Sequence, residues 1–262
     1  MLIFEALALA YCLALAAAAL LLHASRPAWG RAALLSAGVA VLILTTSRTL
    51  GPEARGWLGH LYLVAGYWLP ALLTGGPEAG AGETPFEAWL ARGDARLRRS
   101  GMSLPSWARH GIELAYLLCF PLVPLAFWIV WARGDEGEVD RYWTAVLAAG
   151  FACYGTLPWL VSRPPRVRRP PPREERTPAS RRVNLFVLAR VSHGLNTFPS
   201  GHVAVTVAGA LIVYATWPAA GLVLAAVAAA IAAGAVAGGY HYLVDVLLGI
   251  VLGAAAALVA RA

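Results

Sequence analysis

The chain has 262 residues, of which 59% are apolar and only 13% are charged, and its mean hydropathy is positive. Soluble domains carry about a quarter charged residues, so this composition excludes an ordinary soluble globular protein and indicates a polytopic membrane protein. The formal net charge is +7, and all 21 basic residues are arginine. No lysine is therefore available for phosphate binding or Schiff-base chemistry, and any fixed cation in a site must be arginine.

Eight apolar stretches follow one another along the chain, most of them close to the roughly 20 residues that an α-helix needs to cross a bilayer. They predict an all-α polytopic membrane protein with about eight transmembrane helices. The first stretch carries Glu5 and lacks a preceding basic segment, so we expect a retained helix rather than a cleaved signal. We expect two N-terminal transmembrane helices at 1–50 and a membrane domain at 51–262. The predicted spans are 2–22, 32–47, 57–74, 110–132, 143–162, 201–217, 219–237 and 241–260.

The first of two polar insertions, at 75–109, contains an amphipathic stretch. Its apolar side chains recur at helical spacing, and arginines follow them toward the end of the insertion. Such a helix is suited either to the headgroup plane of a bilayer or to packing, as a solvated connector, on the ends of other helices. The sequence leaves both alternatives open. The apolar residues are Phe86, Trp89, Leu90 and Leu97.

The second insertion, at 163–197, carries nine arginines and six prolines. Proline at this density disfavours a regular helix and favours extended, polyproline-like chain. The arginines are suited to anionic lipid headgroups. Because no aromatic-bearing globular module surrounds this basic run, we expect no binding of nucleic acid.

Two short segments, at 198–202 and 239–245, each open an apolar span, and each contains histidine. Ionisable residues within membrane spans are costly and are generally functional. Successive spans alternate in direction, so the end of the fifth span and the starts of the sixth and eighth lie at one membrane face. We therefore expect the arginine-rich insertion and both histidine segments to meet at that face.

The chemistry of these segments suits a phosphate ester. His241 and Asp245 are four residues apart, which on a helix places side chains about 5–6 Å apart at Cβ, so that Asp245 can orient one ring nitrogen and leave the other free as a nucleophile or base. Ser200 has the chemistry of a helix N-cap, and Gly201 allows close approach of an anion near His202. A purely structural role for each residue is the first alternative. A metal site of the two histidines and the aspartate is the second, although it lacks an identifiable further ligand.

The three cysteines, Cys12, Cys119 and Cys153, lie in different apolar spans without metal-ligand spacing. They are typical of small buried apolar residues, and we predict neither a disulfide nor a zinc site.

Together these motifs resemble the type 2 phosphatidic acid phosphatase superfamily, or lipid phosphate phosphatases. That family has a basic segment ending in Arg-Pro, then Pro-Ser-Gly-His, then a motif whose His and Asp are separated by three residues, and Arg163, His202 and His241 follow this order here. The resemblance covers about residues 57–260. It implies a six-helix catalytic core after two preceding helices, with 51–262 as a lipid-phosphatase-like membrane domain and 163–197 as its Arg/Pro-rich catalytic loop.

The resemblance implies a metal-independent membrane lipid phosphatase that hydrolyses a lipid phosphate monoester or diphosphate through a phosphohistidine intermediate, without a cofactor. His241 would attack phosphorus, Asp245 would orient it, and His202 would protonate the departing lipid oxygen. The expected phosphate-binding residues are Arg163, Arg166, Ser200, Gly201 and Arg190.

Two departures from the family pattern widen this expectation. Thr156 stands where the first motif has lysine, and Ala235 stands where the last motif of phosphatases has arginine. The inositol-phosphorylceramide-synthase-like branch resembles the chain in these respects, which implies as an alternative a lipid phosphotransferase that moves a phospho-headgroup to an alcohol such as ceramide or diacylglycerol. An alternative of another class is a non-catalytic binder or transporter of anionic lipids.

The expected location is a bacterial cell membrane, with a lipid phosphate as substrate and the bilayer as partner; the sequence does not indicate an oligomeric state. Two lines disagree on the side of the membrane. Arginines number 16 on the predicted active-site face against five opposite, which under the positive-inside rule favours the cytoplasm. The family resemblance implies an extracytoplasmic site. Nine of the 16 arginines lie in the catalytic loop, where function can require them whatever the topology, so they do not count as evidence for the cytoplasmic side. We therefore expect the extracytoplasmic side.

Overall fold

The computed structural model describes residues 1–22, 28–74, 84–98, 105–168 and 179–262. This part of the chain is helical, with one isolated antiparallel bridge between Ser162 and Asn196, which confirms the predicted all-α class. The helices are α1 (Ile3–Leu21), α2 (Trp29–Thr49), α3 (Pro52–Ala71), α4 (Pro85–Arg98), α5 (Ser106–Leu117), α6 (Cys119–Arg133), α7 (Glu136–Tyr154), α8 (Pro165–Arg168), α9 (Ala179–Val191), α10 (Gly201–Thr216), α11 (Pro218–Ala237) and α12 (Leu243–Val259).

Each of the eight predicted spans contains helix. The fourth is divided into α5 and α6, which are bent by 50° at their junction. By length and composition, three described helices, α1, α2 and α11, are suited to cross a membrane, and a fourth span is reached if the bent pair is counted as one; α10 and α12 are shorter apolar helices. The polytopic architecture is therefore supported, while the number of eight crossings stays a prediction.

The exposed tryptophans form two groups at opposite ends of the helices. Of the ten tryptophans, Trp143 is buried in the core and the other nine are exposed. Tryptophans gather at the two membrane–water interfaces, so we expect these groups to lie near the two edges of the bilayer. The end that holds the starts of α10 and α12 carries Trp29, Trp68, Trp89, Trp107 and Trp159, and the opposite end carries Trp57, Trp128, Trp131 and Trp217.

Helix α10 lies at the centre of the bundle, in contact with α6, α7, α11 and α12. Glycines of α12 let its backbone approach α10 closely. A Cβ on Gly249 would lie 2.7 Å from the Ser200 carbonyl oxygen, and one on Gly253 would lie 2.4 Å from the Ala204 carbonyl oxygen. Small residues allow such close helix packing in membrane proteins. The starts of α10 and α12 are thereby held side by side.

Helix α1 packs against α2, α3 and α7. A buried ion pair joins α1 to α3, with the Arg55 Nε donating to a Glu5 carboxylate oxygen at 2.7 Å. The division of the chain at residue 50 stays a prediction.

The two insertions differ from each other in how well the sequence predicts them. The amphipathic helix of the first is confirmed as α4, which packs on the start of α12 as a connector would, although the Leu97 side chain lies outside the described residues. The expectation of extended chain through the second is wrong for Ala179–Val191, which forms α9 because this stretch contains no proline. Pro165 begins the single turn of α8, a position at which proline is tolerated. Residues 169–178 lie outside the described part.

Candidate active site

The three segments predicted to share one face do meet there. The Asn196 N–H donates to the Ser162 carbonyl oxygen at 2.8 Å, which joins the end of the fifth span to the segment before α10. The Ser200 N–H donates to the Asp245 carbonyl oxygen at 2.9 Å, which joins the starts of α10 and α12. The Arg166 N–H donates to the Gly239 carbonyl oxygen at 2.9 Å, which brings α8 to the same place.

The two motif histidines face each other. The ring centroids of His202 and His241 are 6.0 Å apart, and both side chains line one cavity. His202 is the second residue of α10, and aromatic rings surround it: the centroids of Phe120 and Tyr116 lie 5.8 and 6.0 Å from its own. Aromatic rings thus enclose His202 on one side, and this burial strengthens its electrostatic interactions with neighbouring groups.

Asp245 lies beside His241, but for a different reason from the one predicted. The Asp245 Oδ2 is 3.5 Å from the His241 Nδ1. The two do not share a helix face, because α12 begins at Leu243, after the histidine. Asp245 instead accepts a hydrogen bond from the Tyr242 N–H at 3.0 Å, as an acidic residue in the first turn often does. The expectation of one helix face is wrong, and helix capping gives the contact.

The helix start at Ser200 and Gly201 also differs from the expectation. Ser200 stands at the N-cap position of α10, but its hydroxyl makes no capping hydrogen bond. The Gly201 N–H donates to the Thr197 Oγ1 at 3.3 Å. A Cβ on Gly201 would lie 2.1 Å from a carbon of the Tyr154 ring, so packing against Tyr154 already requires glycine here. The anion-binding roles of both residues stay predictions.

Of the three predicted arginines, Arg166 lines the cavity. Its guanidinium carbon is 5.1 Å from the Tyr240 ring centroid, and burial lowers its pKa from the usual value. Arg190 lies on the exposed side of α9, where its side chain donates to the Phe186 carbonyl oxygen at 3.1 Å. Arg163 binds Glu87 of α4 through its backbone N–H and its guanidinium, at 2.8 to 3.1 Å. The structure therefore brings one predicted arginine, and not the other two, to the histidines.

The cavity between the histidines is small and polar atoms crowd it. Its volume is about 20 Å³, enough for a water molecule, which needs at least about 10–15 Å³. Several buried polar atoms around it have no hydrogen-bond partner among the described residues, whereas most buried polar atoms in proteins are paired. Such a cluster is costly unless a ligand completes it. The atoms are Asn196 Oδ1, Ser200 Oγ, His202 Nδ1, His241 Nδ1 and Asp245 Oδ1.

Sequence reasoning missed several residues of this site. Asn196 donates to the Asp245 Oδ2 at 2.8 Å, and Tyr67 and Tyr240 line the cavity. His193 stacks on Tyr67 at 4.3 Å between centroids, and burial lowers its pKa to about 4, which keeps it neutral. Asparagine and tyrosine near a turn are too common to be singled out without the contacts that tertiary structure creates. The metal alternative finds no support in the described residues, which include no group of three His, Cys, Asp or Glu placed to hold an ion.

The Glu87 carboxylate of α4 binds the arginine-rich segment that precedes the cavity. It is 2% exposed and binds both Arg163 and Arg168, the latter at 2.7 Å. Burial by itself would raise the pKa of Glu87, but hydrogen bonds from Arg163 and the Thr84 N–H outweigh it, so the pKa lies below its usual value. This carboxylate holds α4 against the segment that precedes the cavity.

We expect Glu87→Gln to destabilise the protein by about 3 kcal/mol, because it removes a buried carboxylate that binds two partly buried arginines. A carboxyl whose pKa is depressed by folding stabilises above its unfolded pKa, and this contribution is lost as the pH falls. Thermal unfolding in detergent at pH 7 and pH 4 measures both effects, and the variant should lose less on acidification than the wild type. The control is Glu138→Gln, which breaks the more exposed pair with Arg141 and should cost less than about 1 kcal/mol. Equal costs for the two variants would contradict the expectation.

Comparison with known proteins supplies one match. Residues 141–262 match the family model described as PAP2 superfamily, a stretch that contains Arg163, both histidines and Asp245. A search of curated proteins and a search of solved structures gave no match. The match confirms the resemblance drawn from the motifs, whereas the inositol-phosphorylceramide-synthase-like features stay a prediction. Members of this superfamily are phosphoric ester hydrolases or related phosphotransferases, which favours an enzyme over a non-catalytic binder.

Proposed function

We propose that this membrane protein is a lipid phosphoesterase that works through a phosphohistidine, because residues 141–262 match the PAP2 superfamily, whose members act on phosphoric esters. The observation that carries the proposal is the pair of facing histidines 6.0 Å apart, with a carboxylate 3.5 Å from one of them and the Arg166 guanidinium in the same cavity. Phosphoryl transfer depends mainly on positioning and fixed charge, and this arrangement supplies both.

In the first step the His241 Nε2 attacks phosphorus, a P–N bond forms, and the P–O bond to the lipid breaks. His202 gives its proton to the departing oxygen. Asp245 lies nearest the Nδ1 of His241, so it orients the ring and stabilises the positive charge that develops there. Arg166 faces the phosphoryl oxygens, as would the free Ser200 hydroxyl.

In the second step water attacks the phosphohistidine. Its proton goes to His202, the P–N bond breaks, and inorganic phosphate leaves with His241 restored. The same residue serves as acid in one direction and base in the other, as reversible proton transfer requires.

An apolar groove beside the cavity supports a lipid as the substrate. The groove has a volume of about 760 Å³ and is lined by residues of α5, α6 and α9 around the bent junction. Phe120 lies on the groove and also contacts the His202 ring, while Val187 and Val191 of α9 flank Leu188, which lines the cavity. A hydrocarbon chain in this groove would place its phosphate at the histidines.

We expect Ala115→Trp, which fills the groove from α5, to raise the KM for a long-chain lipid phosphate about tenfold, since an apolar pocket discriminates by a few kcal/mol at most. Hydrolysis of p-nitrophenyl phosphate, which has no chain, should be unchanged. Initial rates in detergent on both substrates measure this. Val223→Trp, on an exposed apolar position of α11, is the matched control. Equal effects on both substrates would argue against a chain-binding groove.

Transfer to an alcohol is a second candidate, and the charge in the site favours it. Arg163 and Arg168 both bind Glu87, and Thr156 and Ala235 replace family cations. Among the described residues that line the cavity, Arg166 supplies the positive charge and has no carboxylate partner. A phosphatase acts on a dianionic monoester, which needs more fixed positive charge than the monoanionic diester from which a phospho-headgroup is transferred. The small amount of positive charge at the cavity therefore favours transfer.

The test is to trap the intermediate. Purified protein receives phosphatidic acid or undecaprenyl diphosphate labelled on phosphorus, is quenched in alkali, and is searched for acid-labile phosphohistidine at His241. Release of inorganic phosphate then identifies hydrolysis, whereas labelled ceramide phosphate after addition of ceramide, or labelled inositol phosphate after addition of inositol, identifies transfer. Turnover that proceeds with inversion at phosphorus and without a phosphoenzyme would overturn the mechanism.

We place the site on the extracytoplasmic face of a bacterial cell membrane, in line with the family resemblance and against the count of arginines. Trp107 and Trp159 are exposed at the active-site end and Trp217 at the other, so cysteines introduced there report both faces. In intact cells an impermeant maleimide should label the first two positions and spare the third. The reverse pattern would place the site in the cytoplasm.

A further inference from the structure

Asn196 is buried at the centre of the site, with 1% of its surface exposed. Its side-chain Nδ2 donates to the Asp245 Oδ2 at 2.8 Å and to the Ser162 Oγ at 3.1 Å. A carboxylate only accepts hydrogen bonds, so the amide must turn its nitrogen toward Asp245. Its Oδ1 is then left without a partner in the described part of the chain, on the cavity that Asn196 lines with both histidines.

Among the described residues, the Asp245 Oδ2 has three polar neighbours. The Asn196 Nδ2 is nearest at 2.8 Å, the Tyr242 N–H follows at 3.0 Å, and the His241 Nδ1 lies at 3.5 Å, beyond ordinary hydrogen-bond length. The two short bonds hold the carboxylate in place whether or not the imidazole bonds to it. His241 therefore meets a carboxylate whose direction other groups have set.

We propose that Asn196 is a positioning residue that fixes Asp245 for the orientation of His241. This inference rests on the proposed function, because orientation of an imidazole matters most if the imidazole is the nucleophile. In metal sites, mutation of a group that orients a ligand side chain typically lowers metal affinity or activity 10–100-fold. We expect a loss of phosphoenzyme formation of the same order when Asn196 is replaced.

Asn196→Asp is the sharpest test, because it keeps the shape and replaces the donor by a titratable group. Two adjacent carboxylates that are both ionised repel, and neither donates to the other. When the pair holds one proton, the new carboxyl can donate to Asp245 as the amide did. We expect the rate of phosphoenzyme formation in Asn196→Asp to be about 50-fold below that of the wild type at pH 7. As the pH is lowered, the rate of the variant should recover, whereas the rate of the wild type should not increase. A loss by the same factor at every pH, or no loss at pH 7, would overturn the proposal.

Asn184→Asp is a matched control. Asn184 is also 1% exposed, and its Nδ2 donates to a Glu113 carboxylate oxygen at 2.6 Å, so it is the same kind of pair at another place. The Asn184→Asp variant should show no recovery of phosphoenzyme formation at acid pH. Groups that titrate around Asn196 and Asp245 are the same in every variant, so a difference between profiles belongs to the new carboxyl. These groups are His202 of α10, His241, Tyr242, Arg166 of α8, Asp94 of α4 and Cys153 of α7.

A second readout separates this inference from the proposed function. Diethyl pyrocarbonate acylates accessible imidazole nitrogens, and peptide mass spectrometry gives the rate at His241 without any substrate. Both Asn196→Asp and Asn196→Ala should change that rate at pH 7, and Asn184→Asp should not. If the wild type forms no phosphoenzyme while these rates still change, the proposed mechanism fails and the positioning role stands. If the His241 rate in Asn196→Ala equals that of the wild type, the positioning role is wrong.

Discussion

Replacing His241 with alanine is expected to abolish the phosphoenzyme and to lower turnover by at least about 10⁴-fold, the scale on which loss of a nucleophile acts. The nitrogen that attacks phosphorus is gone, while His202, Arg166 and the groove remain to bind substrate. Rapid-quench measurements with lipid labelled on phosphorus give both quantities, and KM should change little.

The control for this variant is chemical rescue. Removal of the buried ring leaves room beside Asp245, so added imidazole should restore part of the turnover and leave label on free imidazole. His110→Ala, which removes an exposed histidine hydrogen-bonded to Ser180 at 2.9 Å, should retain wild-type activity. A His241→Ala protein that still carries label on another residue would show that the nucleophile lies elsewhere.

Replacing His202 with glutamine is expected to slow turnover of a lipid phosphate by about 10²–10⁴-fold, the usual contribution of a general acid. A lipid oxygen leaves poorly without a proton, whereas p-nitrophenolate leaves without one. Phosphoenzyme formation from p-nitrophenyl phosphate should therefore be nearly normal, and the phosphoenzyme should accumulate because water no longer has its base. The burst of nitrophenol followed by slow turnover measures this. An equal loss of burst rate on both substrates would contradict the role.

Local patterns predicted much of this molecule. The apolar spans and their alternation placed the arginine-rich insertion, His202 and His241 at one face, because the length of each span is imposed by the bilayer. Amphipathic spacing predicted α4, and the structure contains it. The all-α class and the superfamily were likewise predicted from composition and motifs.

The same patterns misjudged details that depend on neighbours in space. His241 and Asp245 approach each other through the cap of α12 and not along one helix face. Gly201 is needed for the close approach of Tyr154, a residue of another helix. The proline content of the second insertion concealed α9, since the prolines lie before it in the chain.

The sequence by itself determined that the chain is a helical membrane protein whose histidines meet at one end, because span length and residue spacing are local properties. Only the tertiary structure decided which arginine faces those histidines. Arg163 and Arg166 are three residues apart and look equivalent in the sequence. In the structure Arg163 forms an ion pair with Glu87 of α4, whereas Arg166 lines the cavity with the two histidines. That choice, like the contact of Asn196 with Asp245, follows from the packing of elements distant in the chain, which local spacing does not encode.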